Sequence, residues 1–270
     1  MTQTFPRIVP LLALLAVTAC SSGSSSNDNS AENAAISIDP VLAGDLEQIQ
    51  QQINEAPSGA TVMIGAGQFA GRLVVRKPLI LVGQGSATVL TGSPGLEAAA
   101  VEVRSTVGVE IRDLHVAAPY GGVRVRDCED VLVQGVHAST CGGAGLEVRE
   151  STGVTLRDCD ATDNLDYGVR IREAAVDVVV ADCLVSGNVD HGVLIRDAVN
   201  VTLETSVVRD NAGSGVRLRD SSGVTVFDND IENNLEYGVR IENTPVDPAA
   251  LPVDNRITGN VQGEVFVEQP

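Results

Sequence analysis

The stretch Gly168-Val-Arg-Ile-Arg172 returns along the chain. Its copies are Gly122-Val-Arg-Val-Arg126, Gly145-Leu-Glu-Val-Arg149, Gly192-Val-Leu-Ile-Arg196, Gly215-Val-Arg-Leu-Arg219 and Gly238-Val-Arg-Ile-Glu242. The glycines are 23, 23, 24, 23 and 23 residues apart. A fixed period of that size marks a stacked repeat array. With each glycine as position 0, positions 1 and 3 are always Val, Leu or Ile. Strand alternation turns these to one side of the backbone and positions 2 and 4 to the other. Positions 9 and 11 repeat the pattern (Val131 and Val133, Val154 and Leu156, Val201 and Leu203). Position 16 adds Ala138, Ala161, Val185, Val208 and Ile231. Three short strands per 23 residues predict an all-β fold, a three-sided parallel coil filled by its own aliphatic side chains. With 4 Phe, 3 Tyr and no Trp in 270 residues, the chain has few large side chains for any other core.

The corners carry ladders of their own. Position 19 reads Cys141, Asn164, Asn188, Asn211, Asn234, and stacked Asn side chains can hydrogen-bond along the coil axis. Position 14 reads Val136, Cys159, Cys183, Ser206, Asn229, an inward corner of small or polar residues. Cys159 and Cys183 fall on consecutive rungs, within reach of a disulfide; two buried thiols are the alternative. Before the array, Leu46, Ile49 and Ile53 lie at helical spacing, with Asp45 placed to cap the helix and Pro57 to stop it. That helix is expected to cover the first rung, whose edge would otherwise be open. At the far end Pro245, Pro248 and Pro252 lengthen one rung by about three residues. No capping helix is expected after it, so the proline loop or a partner is left to cover that end.

Thr61-Val-Met-Ile64, Leu73-Val-Val75, Leu79-Ile-Leu-Val82 and Thr88-Val-Leu-Thr91 are short strands split by glycine. With Gly65-Ala-Gly67 and Lys77-Pro78, the segment Ala60 to Gly92 resembles the first rungs of pectate-lyase-like right-handed parallel β-helix proteins. The resemblance continues through most of residues 40–270. It implies a right-handed single-stranded β-helix over 38–270, and it implies no single activity.

The outward positions are where function is sought. Arg170, Arg172, Arg196, Arg217, Arg219 and Arg240 stack at positions 2 and 4, a strip suited to carboxylates or sulfates of an acidic polysaccharide. The acids at position 5 (Asp127, Glu150, Glu173, Asp197, Asp220) can instead neutralise that strip internally. Position 22 departs from the repeat: Ala144, Tyr167, His191, Ser214, Tyr237, with acids before three of them. Tyr167 and Tyr237 can stack on sugar rings, and His191 with Asp190 can move a proton. Asp190-His191-Gly192 resembles a piece of the polygalacturonase site, but that family's adjacent Asp pair is missing. His115, His137 and Asp160 share position 15 without a clear third metal ligand. Asp158, Asp160, Asp182, Asp228 and Asp230 near the second corner can bind Ca²⁺. A lesser resemblance, to β-helix maturation proteins of copper nitrous-oxide reductase, lacks the His/Met-rich copper site. Two readings follow: a polysaccharide-binding protein, with cleavage or epimerisation of the bound chain left open, or a non-catalytic structural or adhesive spacer.

Residues 1–19 read as a secretory signal, with Arg7 before the apolar run Ile8 to Val17. Val17-Thr-Ala-Cys20 resembles a bacterial lipobox, which implies lipidation of Cys20; ordinary cleavage nearby is the alternative. Residues 20–37, rich in serine, read as a flexible tether. Ser21 after the cysteine resembles lipoproteins sent to the outer membrane, so the expected place is the bacterial cell envelope, held by lipid alone. The net charge of −18 repels nucleic acid and anionic lipid.

Overall fold

The computed structural model describes residues 36–37, 46–93, 95 and 97–268. The expected signal segment, Cys20 and nearly all of the tether lie outside them. Parallel strands wind into a solenoid of about nine turns with rungs of about 23 residues. Each rung places one strand on each of three faces. On the first face Leu146–Arg149, Val169–Arg172, Val193–Arg196 and Val216–Arg219 lie side by side. Their register is Val169 on Leu146, Val193 on Val169 and Val216 on Val193, so every residue meets its own equivalent one rung away. The second face carries Thr152–Arg157, Val176–Ala181 and Val199–Glu204, and the third Asp160–Thr162, Leu184–Ser186 and Val207–Arg209. The expected inward residues are buried on all three faces, and they form one continuous core.

The corners show why this sequence turns where it does. Every rung bends through backbone of positive φ, at stations filled by Gly, Asp, Asn and occasionally others. At the second corner Asp113, Gly135, Asp158, Asp182, Thr205 and Asp228 share one such station, with φ between 48° and 62°. L-residues avoid this region, and Gly, Asn and Asp tolerate it best. Part of the chain's acidity is therefore conformational. Position 5 is another such station, so its acids Asp127, Glu150, Glu173, Asp197 and Asp220 serve the turn as well as the arginines.

The asparagine ladder forms as expected. Each Asn Nδ2 donates to the next Oδ1 at 2.9 Å, from Asn164 through Asn188, Asn211 and Asn234 to Asn260. The same Oδ1 atoms accept the backbone N–H one rung earlier. At the inward second corner Ser206 and Asn229 do likewise for Cys183 and Ser206. Cys159 and Cys183 are both free, buried thiols. The hydrogen bond to Cys183, together with burial, pushes the Cys159 thiol up.

The expected helix covers the first rung and the proline loop the last, and both add contacts of their own. The first helix spans Glu47–Glu55 and buries Ile49 and Ile53. Its N-cap is Leu46 without a side-chain cap; the Leu46 N–H donates instead to the Ala70 carbonyl, and Asp45 lies outside the described residues. Gln50 closes the edge strand Leu73–Val75 by bonding both the N–H and the C=O of Val74, as a neighbouring strand would. Ile36–Ser37 pairs in parallel with Thr61–Met63, so strand structure begins before residue 38. At the other end the proline loop does contain a helical turn, Leu251–Asp254, which buries Leu251 against the core. Three prolines rule out a strand there, but the fixed φ of Pro252 suits the first turn of a helix. The rung from Tyr237 to Gly263 has the three extra residues expected.

Candidate functional site

The site begins at the asparagine ladder. Position 19 is fixed inside, so the chain must climb out and return within five residues to the next inward position. Position 20 is exposed from Leu165 to Val261 and Tyr167 and Tyr237 reach the surface at position 22, while Ala144, His191 and Ser214 at position 22 stay buried; the glycine at position 0 brings the chain back. A Cβ on Gly192 would sit 2.7 Å from the Gly215 carbonyl and 2.6 Å from Val208, too close to keep the rung spacing. The glycine repeat therefore belongs to the packing, while the residues before it change from rung to rung.

Among these, Tyr167 and His191 come together on adjacent rungs, with ring centres 6.0 Å apart. The Arg170 guanidinium lies over the Tyr167 ring at 5.1 Å. His191 is only 4% exposed. Its Nδ1 accepts the Ser214 backbone N–H at 2.8 Å. A peptide N–H can only donate, so Nδ1 is the acceptor in that contact. The other nitrogen, Nε2, stands 3.5 Å from Asp190 Oδ1 and 3.2 Å from Arg217 Nη1. Burial first, and the Arg217 cation, hold the imidazole below its usual pKa, although Asp190 and Glu236 oppose this. His191 is thus a buried ring whose two nitrogens both face donors, the Ser214 N–H and the Arg217 guanidinium. It braces the site and is poorly placed to act as a base. The Tyr167 hydroxyl is pushed up by burial and then by the carboxylates of Asp190 and Asp166. Asp166 is itself raised, by burial first, with Asp190 adding to it against Arg170.

The arginine strip is closed by carboxylates. Arg196 pairs with Asp197 at 3.0 Å and Arg219 with Asp220 at 3.2 Å, as position 5 allows. Arg172 pairs with Glu173 and, at 2.9 Å, with Glu147. Arg170 pairs with Asp166 at 3.3 Å, and Arg240 and Arg217 with Glu242 at 2.7 and 2.8 Å. Glu147 and Glu242 were not among the expected site residues. Each occupies a slot where other rungs place Arg, is nearly buried, and serves arginines on neighbouring rungs. Burial alone would raise the Glu147 carboxyl; Arg124 and Arg172 outweigh it and hold it low. For Glu242 burial is likewise outweighed, by Arg217, Arg240 and Arg219. The signal was present in Gly145-Leu-Glu147 and Ile241-Glu242, where the phrase breaks its own pattern.

Two carboxylates in the row have no arginine within salt-bridge reach among the described residues. Asp190 stands 3.5 Å from His191 Nε2 and beside the Tyr167 hydroxyl, and Glu236 faces His191 at 3.9 Å and accepts the Ser214 hydroxyl. Beyond them runs an exposed apolar ladder at position 20: Leu165, Val189, Ala212, Leu235 and Val261. Its sequence signal is an apolar residue after each ladder asparagine. Tyr237 lies three rungs from Tyr167 and stacks on Phe266 at 4.6 Å.

The remaining candidates have local partners. His115 bonds the Ser139 hydroxyl, and His137 bonds Asp160 at 3.2 Å. Burial, then His137, lowers the His115 pKa. Asp158 accepts from Gln134, Asp182 pairs with Arg157, and Asp230 pairs with Arg256. Among the described residues no three His, Cys, Asp or Glu side chains converge as a metal site would require.

No curated protein matches the sequence. Among solved structures, the A-module of a mannuronan C-5 epimerase from Azotobacter vinelandii superposes with a TM-score of 0.52 at 16% identity, over 83% of this chain and 92% of that one. A pectate lyase gives 0.57 at 13% identity, over 82% and 72%. The enzymatically active domain of tailspike protein 2 from bacteriophage CBA120 gives 0.61 at 11% identity, over 73% of this chain and 34% of that one. At such identities the likeness is one of fold. The family model for the right-handed β-helix region matches residues 99–263, the repeats analysed above, and the chain belongs to that family.

Proposed function

We propose that the first face, over residues 145–242, binds a polysaccharide laid along the coil axis. The observation that carries this is the line of Tyr167, Asp190, Glu236 and Tyr237 along the rungs, backed by the buried His191 and Ser214 and flanked by guanidinium–carboxylate pairs on one side and an apolar ladder on the other. Rungs about 4.8 Å apart repeat these groups along a straight line, as an extended sugar chain repeats its rings. Locked Arg and acid pairs offer donors and acceptors at fixed places, which suits hydroxyls better than a mobile charge does. Support also comes from the fold, which the chain shares with a mannuronan epimerase and a pectate lyase. A reaction on the bound chain, cleavage or epimerisation, would draw its proton carriers from Tyr167, Asp166 and Asp190, with His191 holding Asp190 in place. No step of this reading passes through calcium. The same proposal places the domain on the bacterial cell envelope, exported and held by a lipid on Cys20.

The test is retardation in gels cast with a panel of polysaccharides, followed by assay of any retarding polymer for new reducing ends or new ultraviolet absorbance. Retardation by at least one polymer, lost in Tyr167→Ala, is expected; none across the panel ends the reading. Labelled fatty acid should enter the wild-type protein and not Cys20→Ala. The closed arginine strip favours a second reading, a structural or adhesive spacer, which is what remains if no polymer binds.

A further inference from the structure

We infer that the ligand of this face is an uncharged polysaccharide, not a polyuronate or a sulfated chain. The inference rests on the polysaccharide reading above and names the class of its ligand. An acidic chain needs free cations. From Arg149 to Arg240 every arginine of the strip has a carboxylate within 4.0 Å. Glu147 and Glu242 are nearly buried among those arginines, so an incoming carboxylate would have to compete with a partner that is already desolvated and held on two or three sides.

What is left over is negative. His191 is held neutral, so it does not compensate Asp190 or Glu236. Asp166 lies beside the same two rungs, and its proton is already harder to lose because of burial and Asp190. A polyanion threaded between Tyr167 and Tyr237 would therefore meet like charge at the centre of the row. A polycation would fare better there, but it would cross the arginines on the other flank.

The second observation is independent of charge. Leu165 is 65% exposed, Val189 57%, Leu235 56% and Val261 70%. They occupy one register position on four rungs, immediately outside the acid row. Elsewhere on the described surface, exposed large apolar side chains do not line up in this way. Two copies of the chain could not cover this ladder against each other without bringing their flanking acids Asp163, Asp166, Asp190 and Glu236 face to face. A neutral sugar chain has what the strip asks for: C–H ring faces for the ladder and Tyr167, and hydroxyls for Asp190, Glu236 and the arginine pairs.

The experiment compares neutral chains (galactomannan, xyloglucan, dextran), polygalacturonate and alginate, and chitosan oligosaccharides, at low and high salt, by affinity electrophoresis and calorimetry. Binding of a neutral chain, changing less than about threefold between the salts, is expected, since few ion pairs form. Val189→Ser and Leu235→Ser remove only exposed side chains and should each weaken it about tenfold, a change of about 1.4 kcal/mol. Asp190→Asn with Glu236→Gln removes two acceptors for sugar hydroxyls and the uncompensated charge together, so neutral-chain affinity should fall while that for polygalacturonate rises. Binding of polyuronates alone, or of chitosan alone, overturns the inference and leaves the polysaccharide reading standing. Failure of every chain to bind overturns both.

Discussion

Two rows of side chains, three residues apart in sequence, run side by side along the coil. One is the asparagine ladder from Asn164 to Asn260; the other is the row Ala144, Tyr167, His191, Ser214, Tyr237. The first is nearly invariant and buried, with each amide bonded to the rungs before and after it. The second changes at almost every rung. The difference is one of who must be satisfied. Inside, each Asn supplies the acceptor for a backbone N–H that has no water, so a substitution leaves an orphan. In the second row Ala144, His191 and Ser214 are buried too, but each finds its partners in its own way, and Tyr167 and Tyr237 reach the surface, so the rung can carry chemistry.

The largest effect is expected from breaking the inner row. Asn211→Ala removes the acceptor for the Asn188 N–H and Nδ2 and the donor to the Val185 carbonyl. Thermal or urea unfolding should show a loss of about 3–5 kcal/mol, at roughly 1–3 per orphaned group with partial relaxation. A loss below 1 kcal/mol would mean that water enters the corner and that the ladder is decoration.

The buried glutamates come next, because they belong partly to each row's logic. Glu147→Gln should cost about 1–2 kcal/mol at neutral pH, less than a fully buried pair because its arginines are partly solvated. Glu147 and Glu242 are held below the ordinary carboxylate range. Their contribution is therefore present above the unfolded carboxylate pKa near 4.5 and is lost as pH falls through their lower folded values. Urea midpoints measured downward from neutrality should fall below about pH 4.5, and fall less in Glu147→Gln.

A smaller effect tests why the corners are acidic. Asp113 stands at φ 51°. Asp113→Gly should be near neutral, while Asp113→Ala should cost about 1 kcal/mol relative to Gly. Equal stabilities would show that the carboxylate, and not the turn, selects aspartate.

The smallest stability effect is expected in the outer row. Tyr167→Ala should change folding stability by about 1 kcal/mol or less, since the ring is half exposed, yet abolish polysaccharide retardation. A large loss of stability there would make Tyr167 part of the coil and remove the contrast between the rows.

The strand phases, the three faces, the long proline rung and the asparagine ladder were all legible in the repeat. Period 2 sets which side chain faces in, and period 23 stacks like on like, so one rung predicts the next. The site was less legible. Tyr167 and His191 stood out because they break the pattern, but the same test applied to positions 2 and 4 would have singled out Glu147 and Glu242. His191 looked like a base from its residue type; the Ser214 N–H that occupies its Nδ1 belongs to the next rung. The end caps were legible as a helix and a proline loop, but not their contacts: Leu46 bonds Ala70, and Leu251 docks under Thr225–Phe227, between segments more than twenty residues apart.

The sequence by itself determined the coil, because alternation and period act locally and repeat. Only the tertiary structure decided what the arginines are for. Glu173 offered a partner within the rung, but Arg170 and Arg172 are also held by Glu147 of the rung before, at a distance that the winding of the coil sets and no local pattern records.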